Sequence, residues 1–207
     1  MPRLRLIAGP NGSGKTTLTN ELRNRYDVPL GYYVNPDEIE INLHDIESDP
    51  IKRSLLAQKL ATRYRQSWLD KKESHSYESV MSHVSHLDYI KQANLLGFKT
   101  YLYYVCIADP EINIDRVDER VKLGGHPVPI DKIKSRYKRS LAQLYDMAKH
   151  CHRAYFFDNT DLLVPIAEIT PKGMLDVKEK EYNEVKPVWF RDNLLIKWDK
   201  NKRRILR

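Results

Sequence analysis

The chain is expected to fold as an α/β three-layer sandwich, a central parallel sheet with helices on both faces. Three observations predict this. Short strand candidates at residues 4–8, 32–35, 74–80, 99–107 and 154–157, most of them apolar, alternate with longer amphipathic stretches. Those stretches carry apolar residues at helical spacing, as in Ile51, Leu55, Leu56, Leu60, Tyr64 and Trp68. The apolar runs are too short and too regularly spaced for a membrane span, and they read as buried strands joined by helical crossovers.

Residues 4–8 form the first strand and lead straight into a glycine-rich segment; residues 15–25 then form a helix with Leu18 and Leu22 on one face. Residues 32–35 are a second strand, Pro36 and Asp37 a loop, and Glu38 opens a helix. Residues 50–72 are a long helix, residues 74–80 the third strand, and residues 85–96 a helix stopped by Gly97. Residues 99–107 are rich in aromatic and β-branched side chains and are the clearest strand. Asp109-Pro110 starts a helix ending at Gly124-Gly125, and residues 130–150 form the next. After the strand at 154–157 the rhythm changes. Residues 162–170 and 174–178, separated by Pro171-Lys172-Gly173, predict a small hairpin, and Trp189, Phe190 and residues 194–198 are apolar enough to pack on the body. The expected organisation is one domain over residues 1–165 with a helical lid at about 111–140, and an appendage over 166–207 packed on it.

With 207 residues, 41% hydrophobic and 30% charged, the chain is expected to be folded and soluble. Cys106 and Cys151 stand far apart without metal-ligand spacing, which fits a reducing, cytoplasmic setting. The net charge is +7, with six basic residues against Asp199 in residues 197–207. Such a tail either touches nucleic acid or is a solvated terminus, and the second reading is preferred, so nucleic acid is not expected as a partner.

The chemistry is written most plainly at Gly9-Pro10-Asn11-Gly12-Ser13-Gly14-Lys15-Thr16, followed by Thr17. This is the G-x-x-x-x-G-K-[ST] phosphate loop, and it lies in the expected strand–helix context. Glycines let main-chain N–H groups curl around a phosphate, Lys15 reaches the β- and γ-phosphates of ATP, Thr16 offers its hydroxyl to Mg²⁺, and the helix aims its positive end at the anion. No Leu-Ser-Gly-Gly-Gln run and no Asn-Lys-x-Asp is present, which disfavours a transporter ATPase and a GTPase. The expected activity is a kinase acting on a hydroxyl of a small molecule.

Further motifs carry a resemblance. Val34-Asn35-Pro36-Asp37-Glu38-Ile39, Tyr77-Glu78-Ser79-Val80-Met81-Ser82, and the stretch from Arg116 through Arg120, Gly124-Gly125-His126, Val128-Pro129 and Ile133 to Arg136-Tyr137 and Arg139-Ser140 resemble the zeta-toxin family of kinases, most of all its short chromosomal branch. The similarity covers residues 3–165. It implies a P-loop kinase fold, transfer of the ATP γ-phosphate to a hydroxyl (a UDP-activated amino sugar in the well-known members), Asp37 as the base, and Glu78 and Ser82 as acceptor contacts. A small antitoxin-like protein that holds the activity off is a further expectation.

Each assignment has a plainer alternative. Asp37 is either a general base just past the second strand or a helix cap or first-turn acid. Glu78 either holds the acceptor or makes a surface salt bridge, and Ser82 either contacts the acceptor or caps the helix near Ser85. Arg116 and Arg120 share a helix face, and with Arg136 and Arg139 they suit a lid over the triphosphate; Arg120 and Arg136 are favoured for the γ-phosphate, Arg116 and Arg139 for substrate. Exposed ion pairs with Asp115, Asp118 and Glu119 are the alternative. Asn159 either bonds an adenine or stops its strand by an Asx-turn. His83 and His86 are read as surface or pocket-edge residues because no third metal ligand is evident. His126 either touches a phosphate or caps a turn. A nucleotide or polynucleotide-end kinase is the other enzyme reading.

Overall fold

The computed structural model describes residues 1–125 and 127–207, so the expectations for His126 lie outside the described residues. Five parallel strands form one side of a single sheet: β1 (Arg3–Ala8), β2 (Tyr32–Val34), β3 (His75–Ser79), β4 (Lys99–Cys106) and β5 (Arg153–Asp158), in the spatial order β2-β3-β1-β4-β5 with β2 at the edge. The crossovers are helical: α1 (Lys15–Asn24), α2 (Pro36–Asn42), α3 (Pro50–Asp70), α4 (Ser85–Leu95), α5 (Pro110–Lys122), α6 (Ile130–Ala142) and α7 (Leu144–His150). From β1 the chain passes to the edge with β2, steps back beside β1 with β3, and crosses to the other side of β1 with β4. Ligands bind at the carboxyl ends of strands where the order reverses in this way.

The alternation along the strands sets the two faces. Leu4, Leu6 and Ala8 of β1 and Leu102, Tyr104 and Cys106 of β4 join the larger core with residues of α4, α6 and α7. Ile7, Tyr103 and Val105 point the other way, onto Leu18 and Leu22 of α1.

Several boundaries differ from expectation. α2 begins at Pro36, because the Asn35 side chain caps it by accepting from the Asp37 N–H at 3.0 Å and proline suits a first helical position. Asp37 therefore lies in the first turn of a helix, not in a loop. The helix expected over 130–150 is two, α6 and α7, broken at Gln143, whose Nε2 donates to the Met81 carbonyl at 3.2 Å. The C-terminal hairpin, β6 (Val164–Ile169) and β7 (Leu175–Lys178), forms, but β6 also pairs antiparallel with β5 and so extends the main sheet. The basic tail is not a frayed end. It supplies β8 (Arg203–Leu206), parallel to β7, where Arg204 grips the buried Asp176 carboxylate with two bonds of 2.8 and 2.6 Å. A buried carboxylate needs such a counter-charge.

α8 (Glu179–Val185) and α9 (Val188–Asn193) follow β7, and α9 brings Trp189 and Phe190 into the larger core, 3% and 0% exposed. Trp189 Nε1 donates to Asp158 Oδ2 at 2.7 Å at the end of β5. Trp189→Ala is expected to cost about 3–5 kcal/mol, because it opens a cavity and removes the donor to one oxygen of a buried carboxylate. Chemical denaturation of the two proteins measures this as a lower midpoint.

Candidate active site

At the carboxyl end of β1 the chain turns into the loop 9–16 and enters α1 at Lys15. Two glycines there are dictated by space as well as by backbone. Gly12 has φ 74° and a Cβ would stand 2.7 Å from the Asn113 carbonyl oxygen; Gly14 has φ 91° and a Cβ would run into the Asn159 amide. The loop is thus clasped between α5 and the segment after β5. Asn113 Nδ2 donates to the Asn11 carbonyl, and Asn159 Nδ2 donates to the Ser13 carbonyl at 3.0 Å. Lys15 Nζ arches back to the carbonyls of Gly9 and Pro10 at 3.1 and 3.0 Å. Burial holds its pKa below that of an ordinary lysine; Glu78 and Asp37 oppose the fall, and Arg120 and Arg136 add to it.

These features fit a bound triphosphate. The cradle has no room for added side chains, and Ser13 Oγ and Asn11 Oδ1 are enclosed without a hydrogen-bond partner among the described residues. Thr16 is exposed in the first turn of α1, as a hydroxyl serving Mg²⁺ would have to be. Among the described residues no three His, Cys, Asp or Glu side chains cluster to hold a metal.

Beside the loop, Glu78 of β3 lies in register with Ile7 and is 4% exposed. Among the described residues it makes no salt bridge. Oε1 accepts from Thr19 Oγ1 at 2.6 Å and from Tyr33 OH at 2.7 Å, and Oε2 accepts from Asn35 Nδ2 at 3.4 Å. Burial and the Glu78 charge push the Tyr33 phenol well above its ordinary pKa, so Tyr33 remains a donor. Through Asn35, which caps α2, this network fixes the first turn that carries Asp37. Asp37 is exposed and faces Arg120 of α5 across 3.6 Å. An exposed pair of this kind is worth well under about 1 kcal/mol; its importance is that the arginine-bearing helix and the acid meet.

The other arginines divide. Arg136 of α6 has its pKa lowered by burial and by Arg139, with Asp37 opposing, so it lies in the field of the same acid. Arg139 is exposed on α6. Arg116 is turned elsewhere: its two Nη atoms donate to the carbonyls of Asn159 and Thr160 at 2.8 and 2.7 Å. The structure places Asn159 likewise in the frame of the loop, through its bond to Ser13. Ser82 is half-buried beside the buried Met81, and it does not cap α4, whose first turn has no side-chain cap. Thr17 is exposed on α1, one residue beyond Thr16.

Sequence reasoning missed Asn113, Asn35, Tyr33 and Thr19. For Asn113 the available signal was its spacing: it lies four residues before Val117, on the buried face of α5.

His86 borders this region. Its Nε2 meets Ser79 Oγ at 2.8 Å and its ring stacks on Tyr77. Burial, with Arg65 and His83, pushes its pKa down to about 3. The folded state therefore refuses a proton that the unfolded chain accepts near pH 6.5. Stability should fall as pH drops below that value, with a slope up to about 1.4 kcal/mol per pH unit from this group. Denaturant titrations at pH 7 and pH 5 check it, and His86→Gln should flatten the difference.

No family model matches the chain. A Haemophilus influenzae protein, described only as uncharacterized, is 30% identical over 129 residues, which is 62% of this chain and 88% of its own length. Among solved structures, a chain of the AvrRxo1-ORF1:AvrRxo1-ORF2 complex with ATP superposes at TM-score 0.69 and 19% identity, covering 89% of this chain. This chain spans 63% of the length of that one. A chain of the PezAT chromosomal toxin–antitoxin system of Streptococcus pneumoniae superposes at TM-score 0.59 and 14% identity, over 98% of this chain and 82% of its own. At these identities the likeness is one of fold.

Proposed function

For a chain that belongs to one family with the uncharacterized Haemophilus influenzae protein and has the fold of zeta-toxin-like P-loop kinases, we propose phosphoryl transfer from Mg-ATP to a hydroxyl of a small molecule. The observation that carries this reading is the meeting of a phosphate cradle at 9–16 with a buried-anchored acid, Asp37, and with arginines of α5 and α6.

In this reading, main-chain N–H groups of the loop and the Lys15 ammonium hold the β- and γ-phosphates. Thr16 would hold the metal, which supplies charge neutralisation on the phosphate oxygens when bound. Asp37 accepts the proton of the acceptor hydroxyl as the new P–O bond forms and the bond to the leaving ADP oxygen breaks. Arg120 and Arg136 stabilise the charge on the transferring group, and Arg139 serves the acceptor. Glu78 fixes the wall on which Asp37 stands, and the half-buried Ser82 offers its hydroxyl to the acceptor side. Arg116 and Asn159 act here by shaping the cradle.

UDP-activated amino sugars are the acceptor class to test first, on the resemblance at Asp37 and Glu78. Incubation with labelled ATP, Mg²⁺ and a panel of UDP-sugars, nucleosides and nucleotides should yield a phosphorylated sugar nucleotide; product on a nucleoside alone moves the acceptor assignment elsewhere. The named neighbours come from two-protein systems, the AvrRxo1-ORF1:-ORF2 complex and PezAT. An antitoxin-like partner for this chain accordingly forms part of the proposal. Harm on expression that Lys15→Ala relieves, together with relief by co-expression of a neighbouring small protein, supports it. Among the described residues no helix is long and apolar enough to cross a membrane, which is compatible with work in the cytoplasm.

A further inference from the structure

Four carbonyls of the phosphate loop accept bonds from side chains. Lys15 holds those of Gly9 and Pro10, Asn113 holds that of Asn11, and Asn159 holds that of Ser13. A loop that binds an anion needs its N–H groups turned inward, and a peptide plane turns its N–H inward only when its C=O is turned out. When a triphosphate takes the Lys15 ammonium, its two ties are given up, and the two asparagines are the side chains that still hold loop carbonyls, beside the main-chain bond from Ser13 N–H to the Pro10 carbonyl.

Asn113 is the more telling of the two. It is 0% exposed, on a helix face where an apolar residue would pack at less cost, and its main chain lies flat against Gly12. Its amide reaches the Asn11 carbonyl across 102 residues of sequence. The peptide it holds is the one that joins Asn11 to Gly12, and so it sets the direction of the Gly12 N–H. One turn further along α5, Arg116 ties the helix to the carbonyls of Asn159 and Thr160. Two turns along, Arg120 faces Asp37. One rigid helix thus connects the back of the phosphate loop to the acid on the acceptor side.

We propose that Asn113 is a positioning residue for phosphoryl transfer: its amide fixes the Asn11–Gly12 peptide with the N–H facing the phosphates, and through α5 it sets the loop relative to the Arg120–Asp37 pair. This rests on the kinase reading above.

Asn113→Asp tests it with a group of nearly the same shape. A carboxylate cannot donate to a carbonyl and repels it, whereas the protonated acid can donate. Burial beside a carbonyl raises that acid's pKa, so lowering the pH restores the donor. Calorimetric titration with Mg-ATP is expected to show affinity about tenfold weaker than wild type at pH 8, closing toward wild type at pH 5. Affinity equal to wild type at pH 8, or a deficit unchanged between the two pH values, overturns the proposal. If the aspartate prevents folding, Asn113→Ser, too short to reach Asn11, should show the pH 8 deficit at both pH values, and wild-type affinity in it overturns the proposal equally. Failure of wild type to bind ATP would instead sink the kinase reading, so the two failures are separable.

Discussion

Asp37→Asn is expected to lower phosphoryl transfer by about 10² to 10⁴-fold while leaving Mg-ATP affinity within a few-fold of wild type. The amide keeps the size of the side chain and cannot take a proton from the acceptor. The change should not disturb the fold. Asn35 caps α2 through the Asp37 main chain, which the substitution leaves intact, and the ion pair lost to Arg120 is solvent-exposed. Among the described residues the side chains that bond to phosphate-loop carbonyls are those of Asn113, Asn159 and Lys15, not that of Asp37. Single-turnover transfer, measured beside calorimetric ATP binding, separates the two effects. Undiminished transfer would remove Asp37 from the role of base and leave it a first-turn acid.

The second large effect is at the other end of the reaction. Lys15→Ala should weaken Mg-ATP binding and cut transfer by about 10²- to 10³-fold, since it removes the ammonium enclosed at the loop. It also leaves the carbonyls of Gly9 and Pro10 without their donor, so the empty loop should be looser as well as less positive. Nucleotide titration reads the first effect, and amide exchange of residues 9–14 reads the second. Wild-type affinity in this variant would mean that nucleotide is held elsewhere.

The parts of this site that were legible in the sequence are those where the backbone itself imposes residue types. Gly12 and Gly14 occupy left-handed conformations with no space for a Cβ, and Lys15 and Thr16 must follow at fixed spacing. β1, β2, β4 and β5 were legible because their largely apolar runs are bounded by glycine, proline or aspartate; β3, His-Ser-Tyr-Glu-Ser, has no such run. The helix that carries Asp37 was not read far enough back, because the cap is Asn35 and the intervening proline looks like a loop.

What was not legible depends on partners far apart in the chain. Asn113 bonds to Asn11 and Asn159 to Ser13, 102 and 146 residues away, and neither contact leaves a periodic trace. The donors around Glu78 come from β2, the cap of α2 and α1, so the residue read as a substrate contact or surface ion pair is a buried hub. The arginines were assigned as a group from their helical spacing. Spacing cannot tell Arg116, which grips two carbonyls, from Arg120, one turn on, which faces Asp37. The tail reads as solvated charge because the carboxylate that Arg204 answers, Asp176, lies 28 residues earlier in a different strand. Gln143 breaks a long helix without proline or glycine, and nothing local announces it.

The most direct measurement is calorimetric titration of the wild-type protein with ATP in the presence of Mg²⁺, repeated with Gly14→Ala, whose methyl would strike the Asn159 amide behind the loop. Saturable binding of one nucleotide per chain to wild type, lost in the variant, is the predicted result. No heat of binding in the wild type, or equal binding in both proteins, contradicts the account.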